Sequence, residues 1–360
     1  MQMINKSLYT EKKAILNTSI KEEEMTSTAD GEVILKVDKY ALTSNNVTYA
    51  VIGYQVKYWD FFPAPEPWGK VPVWGFATVE ESKCEGVEVG EKVYGYFPMS
   101  QYLKIKAGKV NQFSFMDISE HRQALAPIYN TYSREGEILN FPEGVEDFIP
   151  ITKPLFMTSF SICEFLHLED FFTSENVIIT SASSKTSLGL AYTLKNIQKD
   201  HNKNVIGLTS TRNVEFVKET GLYNQVIDYK DVAAEVPSKD SVMVDMAGNG
   251  KLNLALYEQL GERLKHLCKV GLTDWSSANM ESKIPVARFF FAPTYAQGFF
   301  KKHGPAKGNE ITTKALYSFI ETASKWIDLE YLSTFEDLQS TFTAMISGKV
   351  DPSKGYIIKS

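Results

Sequence analysis

Apolar and polar residues alternate with a period of two from about residue 30 to 110, in EVILKVDKYAL and again in ATVEESKCEGVEVGEKVYGYFP, with Gly and Pro breaking the runs. That period puts one face of an extended chain into a core, so the segment predicts a small antiparallel sheet or a partly open barrel. FFPAPEPWGKVP, residues 61 to 72, carries four prolines and predicts a loop or an edge, because proline lacks the ladder N–H.

From about residue 157 the pattern changes. MTSFSICEFLHLEDFF predicts a helix, VIIT (177 to 180) a buried strand and LGLAYTLKNIQ a helix. NVIGLTS (204 to 210) is the second strand, NVEFVKETG a helix stopped by Gly221, QVIDY (225 to 229) the third strand and SVMVDMAG (241 to 248) the fourth. LNLALYEQLGERL is a helix and HLCKVGLT (266 to 273) a fifth strand. Strand and helix alternation over this length predicts a doubly wound parallel α/β sheet covered by helices on both faces. After Pro285 the alternation stops: ARFFFAPTYAQGFFKKHG and ALYSFIETASKWI predict aromatic-rich helices, and GYIIK a terminal strand that returns to the first domain. The expected division is 1–155 with 286–360, and 156–285.

Composition narrows the partners. The 360 residues are 43% hydrophobic and 23% charged, with net charge -6 and pI near 5.6. No long basic run is present, which argues against nucleic acid and anionic membrane as partners. No apolar stretch approaches the roughly eighteen residues of a spanning helix, and MQMINKSLYTEKKAILNTSIKEEE lacks an apolar signal core. The expected location is cytoplasmic. Cys84, Cys163 and Cys268 are far apart and form no CxxC pair, which excludes a disulfide framework or a cysteine-rich zinc site from the sequence pattern.

Three loops at the carboxyl ends of successive strands carry the candidate ligand chemistry, at the edge where open α/β sheets bind. The first is TSASSKTSLG. A helix N-terminus there favours a pyrophosphate; Ser181, Ser183, Ser184, Thr186 and Ser187 bring hydroxyl donors, Lys185 brings a full charge, and Gly189 stands where close helix packing favours glycine. The turn fits neither G-x-G-x-x-G nor G-x-x-x-x-G-K-[ST], and a serine-capped structural turn explains it as well. The second loop, Leu208-Thr209-Ser210-Thr211-Arg212-Asn213, has no carboxylate before Glu215, so a phosphorylated dinucleotide fits better than NAD; a solvated arginine at a helix start is the plainer alternative. The third is Met246-Ala247-Gly248-Asn249-Gly250 with Val270-Gly271-Leu272, small enough for a nicotinamide ribose to pass, or simply two ordinary turns.

Together these features resemble the medium-chain dehydrogenase/reductase superfamily, in particular its zinc-independent quinone and enoyl reductase branch. GVEVGEKVYGYFPMSQYLKI is similar to the family's β-rich "vGdrVxGy" segment, and FMTSFSICEFLHLEDFFTSENVIITSA to the helix and strand before its cofactor turn. The resemblance implies a GroES-like partly open barrel for 1–155 with 286–360 and a Rossmann dinucleotide-binding domain for 156–285. It implies NADP as cofactor, a small-molecule carbonyl or quinone substrate, and a homodimer. Ser210, Arg212 and Tyr229 stand where related reductases hold the 2′-phosphate, and Thr158 falls in the segment before the turn. The glycine-rich turn has become SASSKTSLG, by a one-residue insertion or by Ser187 taking the last glycine's place. Zinc-dependent members carry Gly-His-Glu where this chain has Trp74-Gly75-Phe76-Ala77, and its five histidines are scattered, so no catalytic metal is expected.

Without zinc, a hydroxyl or an amide must stabilise the developing negative charge on the acceptor oxygen. Asn45 and Asn46 match the neighbourhood of the family's nicotinamide-side asparagine, Asn46 more closely; Tyr49 follows, and Tyr54 and Tyr58 are further hydroxyl sources. In APIYNTYSR, Tyr129, Asn130, Tyr132 and Arg134 form a second cluster, in which a cation can lower a tyrosine's pKa for proton donation. With 18 tyrosines in the chain, half-buried packing explains any single one of them as well. Phe289 to Phe291 stand where relatives form the floor of the nicotinamide cleft, though core packing is the commoner fate of such a run. Neither GxSxG nor a complete phosphate-binding loop is present, which sets aside serine hydrolase and kinase chemistry. The leading expectation is an NADPH-dependent reductase of a quinone, enone or other conjugated carbonyl. The alternatives are a dinucleotide-binding sensor or accessory subunit with little catalysis, and a fold relic holding another anion through Lys185.

Overall fold

The computed structural model describes residues 3–134, 144–271 and 283–359. The chain opens with a hairpin of β1 (Met3–Glu11) and β2 (Thr18–Met25), followed by β3 (Glu32–Leu42) and the short helix α1 (Ser44–Val51). Then come β4 (Trp68–Gly69), β5 (Pro72–Ser82), β6 (Lys92–Pro98), β7 (Tyr102–Gly108), β8 (Ser114–Asp117) and β9 (Thr131–Arg134). The hairpin was not foreseen, because TSIKEEEM reads as solvated charge. It forms because the charges lie over aromatic faces: the Lys21 ammonium sits 4.9 Å from the Tyr9 ring and 4.2 Å from the Trp68 ring.

The middle of the chain alternates as expected. Helix α2 (Ile149–Leu168) precedes β10 (Asn176–Ile179), α3 (Lys185–Tyr192), β11 (Asn204–Thr209), α4 (Val214–Glu219) and β12 (Gln225–Asp228). After these lie α5 (Val232–Glu235), β13 (Ser241–Asp245), α6 (Gly250–Leu260), β14 (Leu264–Lys269) and β15 (Ala287–Phe289). The six strands form one parallel sheet in the order β12-β11-β10-β13-β14-β15. Its core is aliphatic, with Ile178, Ile206, Leu208, Met243 and Leu267 all fully buried, as a sheet covered on both faces requires.

Helices α7 (Ala292–His303) and α8 (Pro305–Ala323) follow, then β16 (Asp328–Leu332), α9 (Phe335–Ile346) and β17 (Lys354–Lys359). The chain divides into Met1–Ile151 with Asp328–Ser360, and Thr152–Ile327. The return to the first unit therefore comes at Asp328 rather than at 286. The stretch between stays with the parallel sheet because β15 pairs with β14 and because aromatic contacts tie the two helices to α2: Phe299 to Phe160 at 5.1 Å and Phe319 to Phe156 at 5.0 Å. In the first unit, β17 pairs antiparallel with β3, as a returning terminal strand should. The eight-stranded sheet runs β16-β17-β3-β5-β6-β9-β8-β7, and β7 pairs back onto β3 to close most of a barrel.

Candidate functional site

In the second unit β10 ends at Ile179 and α3 begins at Lys185, so Thr180 to Ser184 make the turn. Ser184 caps the helix, its Oγ accepting the Ser187 N–H at 3.2 Å, which is the usual reason a serine starts a helix. Ser187 is fully buried; its hydroxyl donates to the Thr180 carbonyl at 2.9 Å and accepts from Ser184 at 2.8 Å. That corrects its expected role as a phosphate donor, because its hydroxyl is turned into the protein. Lys185 and Thr186 are half-buried at the head of α3. Gly189 is required by packing: a Cβ there would lie 2.8 Å from Ser159 Oγ, which itself donates to the Thr186 carbonyl at 2.7 Å and so clamps α2 to α3. Thr158, one residue before that clamp, donates to the Pro154 carbonyl of its own helix at 3.2 Å.

The turn is bonded to the next two strand ends. Ser183, nearly buried, accepts from Asn213 Nδ2 at 2.9 Å. The Tyr229 hydroxyl accepts the Ser181 N–H at 2.8 Å, and the Tyr223 hydroxyl donates to the Ala182 carbonyl at 2.9 Å. Ser210 stands at the head of the short turn Thr211–Asn213, with Arg212 exposed on it. The first loop is thus joined to the loop that carries Ser210 and Arg212, and to Tyr229. Asp228 lies beside them. The Thr211 hydroxyl, and then its other hydrogen bonds, hold its carboxyl below the usual range, and Lys230 Nζ stands 3.3 Å away to balance the charge.

The third loop is organised by Asp245, which the sequence reading did not single out. This buried carboxylate accepts from Thr180 Oγ1 at 2.7 Å, Asn253 Nδ2 at 2.6 Å, and the N–H groups of Ala247 and Gly248 at 3.0 and 3.1 Å. Burial raises its pKa, opposed by those same bonds. A lone Asp closing an apolar strand before Ala-Gly is the signal that marks it. Gly248 has φ +76°, which favours glycine. At Gly271 a Cβ would meet the Met246 carbonyl oxygen at 2.0 Å, so the two loops touch backbone to backbone only because the residue is glycine. Leu272 lies outside the described residues. Lys153, half-buried on the first turns of α2, has its ammonium pKa brought down to about 8 by burial.

In the first unit, rings from α1, the turn Tyr58–Asp60 after it, β5, β6 and the loop before β9 collect into one cluster. Tyr49 lies 4.5 Å from Tyr58 and 5.7 Å from Tyr96; Trp74 lies 4.9 Å from Tyr96 and 5.8 Å from Tyr129; Tyr96 lies 4.8 Å from Tyr129. Their polar ends meet as well: Trp74 Nε1 donates to the Tyr49 hydroxyl at 3.3 Å, and the Tyr58 and Tyr129 hydroxyls share a bond of 3.2 Å. Burial raises the pKa of Tyr49, Tyr58, Tyr96 and Tyr129 alike. The cation-lowered tyrosine expected from the sequence is therefore not what the cluster offers; its phenols are neutral donors.

Other expected members serve the scaffold. Asn46 caps α1, its Oδ1 accepting the Thr43 N–H at 2.7 Å and its Nδ2 donating to the Pro72 carbonyl at 2.7 Å. Tyr132 is fully buried, its hydroxyl on the Tyr96 carbonyl at 3.1 Å and its ring where any side chain at Gly95 would clash. Asn130 exchanges two bonds of 2.8 Å with Arg122, whose guanidinium is also fully buried and donates to the carbonyls of Phe61 at 3.1 Å and Tyr129 at 2.7 Å. Arg122 was missed because an arginine in EHRQAL reads as surface charge. Arg134 pairs with Glu91 at 3.3 Å. Tyr54 is 56% exposed, outside the cluster. Phe289 is 52% exposed on β15, whereas Phe290 is buried and stacked on Tyr295 at 4.6 Å.

Among the described residues no group of three or more His, Cys, Asp or Glu can hold a metal ion, and no helix is long and apolar enough to cross a membrane. No curated protein matches the chain in sequence. Solved structures do match in fold. CurA from Vibrio vulnificus, crystallised with NADPH, has TM-score 0.62 at 15% identity, covering 96% of this chain and 94% of its own. The CurK enoyl reductase has TM-score 0.57 at 14% identity with 99% of both chains covered. The quinone oxidoreductase from Coxiella burnetii has TM-score 0.55 at 14% identity, with 99% of this chain and 100% of its own covered. At such identities the likeness establishes the fold, a GroES-like barrel with a Rossmann sheet, as in the medium-chain reductases. In sequence, the model described as "Protein of unknown function (DUF2855)" matches residues 40–351, and the chain belongs to that family.

Proposed function

We propose that the chain is a zinc-independent oxidoreductase that uses NADPH to reduce a quinone, enone or other conjugated carbonyl, acting in the cytoplasm as a homodimer. The observation that carries this reading is the bond between Ser183 and Asn213, which fastens the hydroxyl-rich turn to the loop bearing Arg212. In that arrangement the α3 N-terminus and Lys185 suit a pyrophosphate. Ser210 and Arg212 suit a 2′-phosphate, with Tyr229 alongside and no carboxylate closing β11. Ala247, Gly248 and Gly271 keep the backbone low for a nicotinamide ribose. Bound NADPH supplies the hydride. Tyr49 and Tyr129 direct neutral hydroxyls at the acceptor oxygen, where negative charge develops in the transition state. Zinc independence is supported by Trp74-Gly75-Phe76-Ala77, which supplies no ligand where zinc-dependent relatives have Gly-His-Glu.

Fluorescence titration tests the cofactor role. The wild type is expected to bind NADPH, and no binding at about millimolar cofactor rejects the reading. Arg212→Ala removes charge-assisted bonds of about 1.5–3 kcal/mol, so NADPH affinity should fall roughly 10- to 100-fold while NADH affinity holds. An equal loss for both cofactors refutes the 2′-phosphate role. One observation favours the second reading, a dinucleotide-binding protein with little catalysis: the turn has lost its glycines, and Ser187 spends its hydroxyl inward. NADPH binding without turnover on a broad panel of quinones, enones and aldehydes would select that reading.

A further inference from the structure

We propose that Trp74 is a positioning residue for the reduction: its indole N–H fixes the Tyr49 hydroxyl as the proton donor to the acceptor oxygen. The inference rests on the reductase reading above and concerns the first unit alone. Indole nitrogen can only donate, so in the 3.3 Å contact the Tyr49 oxygen is the acceptor. One lone pair is thereby occupied, and the phenolic proton is left pointing away from Trp74. A donor bonded to a hydroxyl oxygen also polarises its O–H, strengthening the bond that hydroxyl gives onward.

The surroundings fit that role. Tyr49 is 5% exposed and sits on the last turn of α1, its ring held by Tyr58 and Tyr96. Trp74 is the half-buried member of the cluster and stacks on Tyr94 at 5.7 Å, which fixes the indole plane. Burial, and then Tyr129, keep Tyr49 protonated at rest; Trp74, Asn45 and Tyr96 offset only part of that rise. A phenol held neutral, with its oxygen already accepting the indole N–H, keeps its own proton to give to an acceptor. In the balanced step, hydride adds to the electrophilic carbon of the conjugated carbonyl and the Tyr49 proton goes to its oxygen. Water then returns a proton to the Tyr49 oxygen. Trp74 takes no part in bond making and acts only through Tyr49.

Two arms test this. In the first, the protein is prepared with [ζ-13C]tyrosine and studied by NMR without cofactor. The resonance missing in Tyr49→Phe identifies Tyr49, and Trp74→Phe, which keeps a ring but removes the donor, should shift that resonance. An unmoved resonance in a variant with wild-type melting behaviour overturns the proposal. In the second, Trp74→Phe should lower kcat with quinone roughly tenfold, the effect of about 1.4 kcal/mol, with KM nearly constant. Added to Tyr49→Phe it should cost nothing more. An unchanged kcat, or a full additional loss in the double variant, overturns the proposal. Should the wild type turn over none of the panel, the reductase reading fails on that result, and the NMR arm still decides whether Trp74 sets the state of Tyr49.

Discussion

Ser181 carries a φ of +49°, in the left-handed region that favours glycine, at the turn where related nucleotide-binding folds place one. The conformation is imposed from outside: the Ser181 N–H is held by the Tyr229 hydroxyl, while the Ser181 carbonyl accepts the Ser184 N–H at 2.7 Å. Ser181→Gly should therefore relieve strain and stabilise the protein by about 0.5–1 kcal/mol, net of glycine's greater unfolded-state entropy. Differential scanning calorimetry would show a higher Tm, and a lower one would mean that the serine side chain contributes more than its backbone costs. At this scale the sequence was informative about kinds of residue and poor on direction. Ser183 and Ser187 were both legible as hydroxyls of a turn, but which way each points depends on its partner: Asn213, 30 residues on, for one and the Thr180 carbonyl, seven residues back, for the other. Asn46 and Tyr132 were plausible polar candidates for the same reason, and both turned out to serve neighbouring backbone. Trp74 carried no signal of its own, since an indole beside a glycine in a strand reads as packing until Tyr49 is seen beneath it.

Between elements, the junction of α2 and β10 is the least ordinary part of the second unit. Asp170, Phe171, Phe172 and Thr173 all have φ between +46° and +56°, each outside the region that L-residues favour. The residue pattern predicts a helix through Phe172, because Leu-Glu-Asp-Phe-Phe contains no breaker. Ring packing overrides that propensity: Phe172 stacks on His266 of β14 at 4.3 Å and 3°, and Phe171 packs on His167 at 4.7 Å and on His201 at 5.1 Å. The stack has a consequence for acid stability. Burial, with Arg288 adding repulsion, takes the His266 pKa down from 6.5 to about 4. Between those values the unfolded chain binds a proton that the folded chain does not, so this contribution is full above pH 6.5 and is lost as pH falls towards 4. The slope is at most about 1.4 kcal/mol per pH unit, reduced here by partial exposure of the ring. His266→Phe keeps a stacked ring and removes the titration. Denaturant midpoints measured from pH 7.5 to 4.5 should fall less steeply in the variant, and parallel curves would show that His266 carries no such penalty.

At the scale of the molecule, the two units are built from the chain in different ways, and that difference sets what each can survive. Every strand of the parallel sheet lies between Asn176 and Phe289, a continuous stretch with short crossovers. Five of its six strands are accordingly readable from periodicity; the sixth, β15, lies in ARFFF, whose pattern predicts a helix. The barrel is assembled from both ends of the sequence, because β17 lies between β16 and β3, and β1 bonds to the loop after β6 through the Leu8 N–H to the Met99 carbonyl at 2.8 Å. Pairings of such long range leave little local trace, which is why the N-terminal hairpin was missed and why residues 286 to 327 were assigned to the barrel rather than to the sheet. Only GYIIK, an isolated strand pattern after helices, disclosed the closure. Removing residues 350–359 should therefore expose the β3 edge and strand β16 without touching the parallel sheet. Strand β17, antiparallel to β3 and parallel to β16, cannot be replaced by water without uncovering the apolar residues packed around Ile357, namely Ala41, Ile151 and Leu329. Limited proteolysis of the truncated chain should release a resistant core close to 152–327 while sites before Ile151 become cleavable, and peptide mapping reads both. Equal protection of the two units would show that the barrel stands without its last strand.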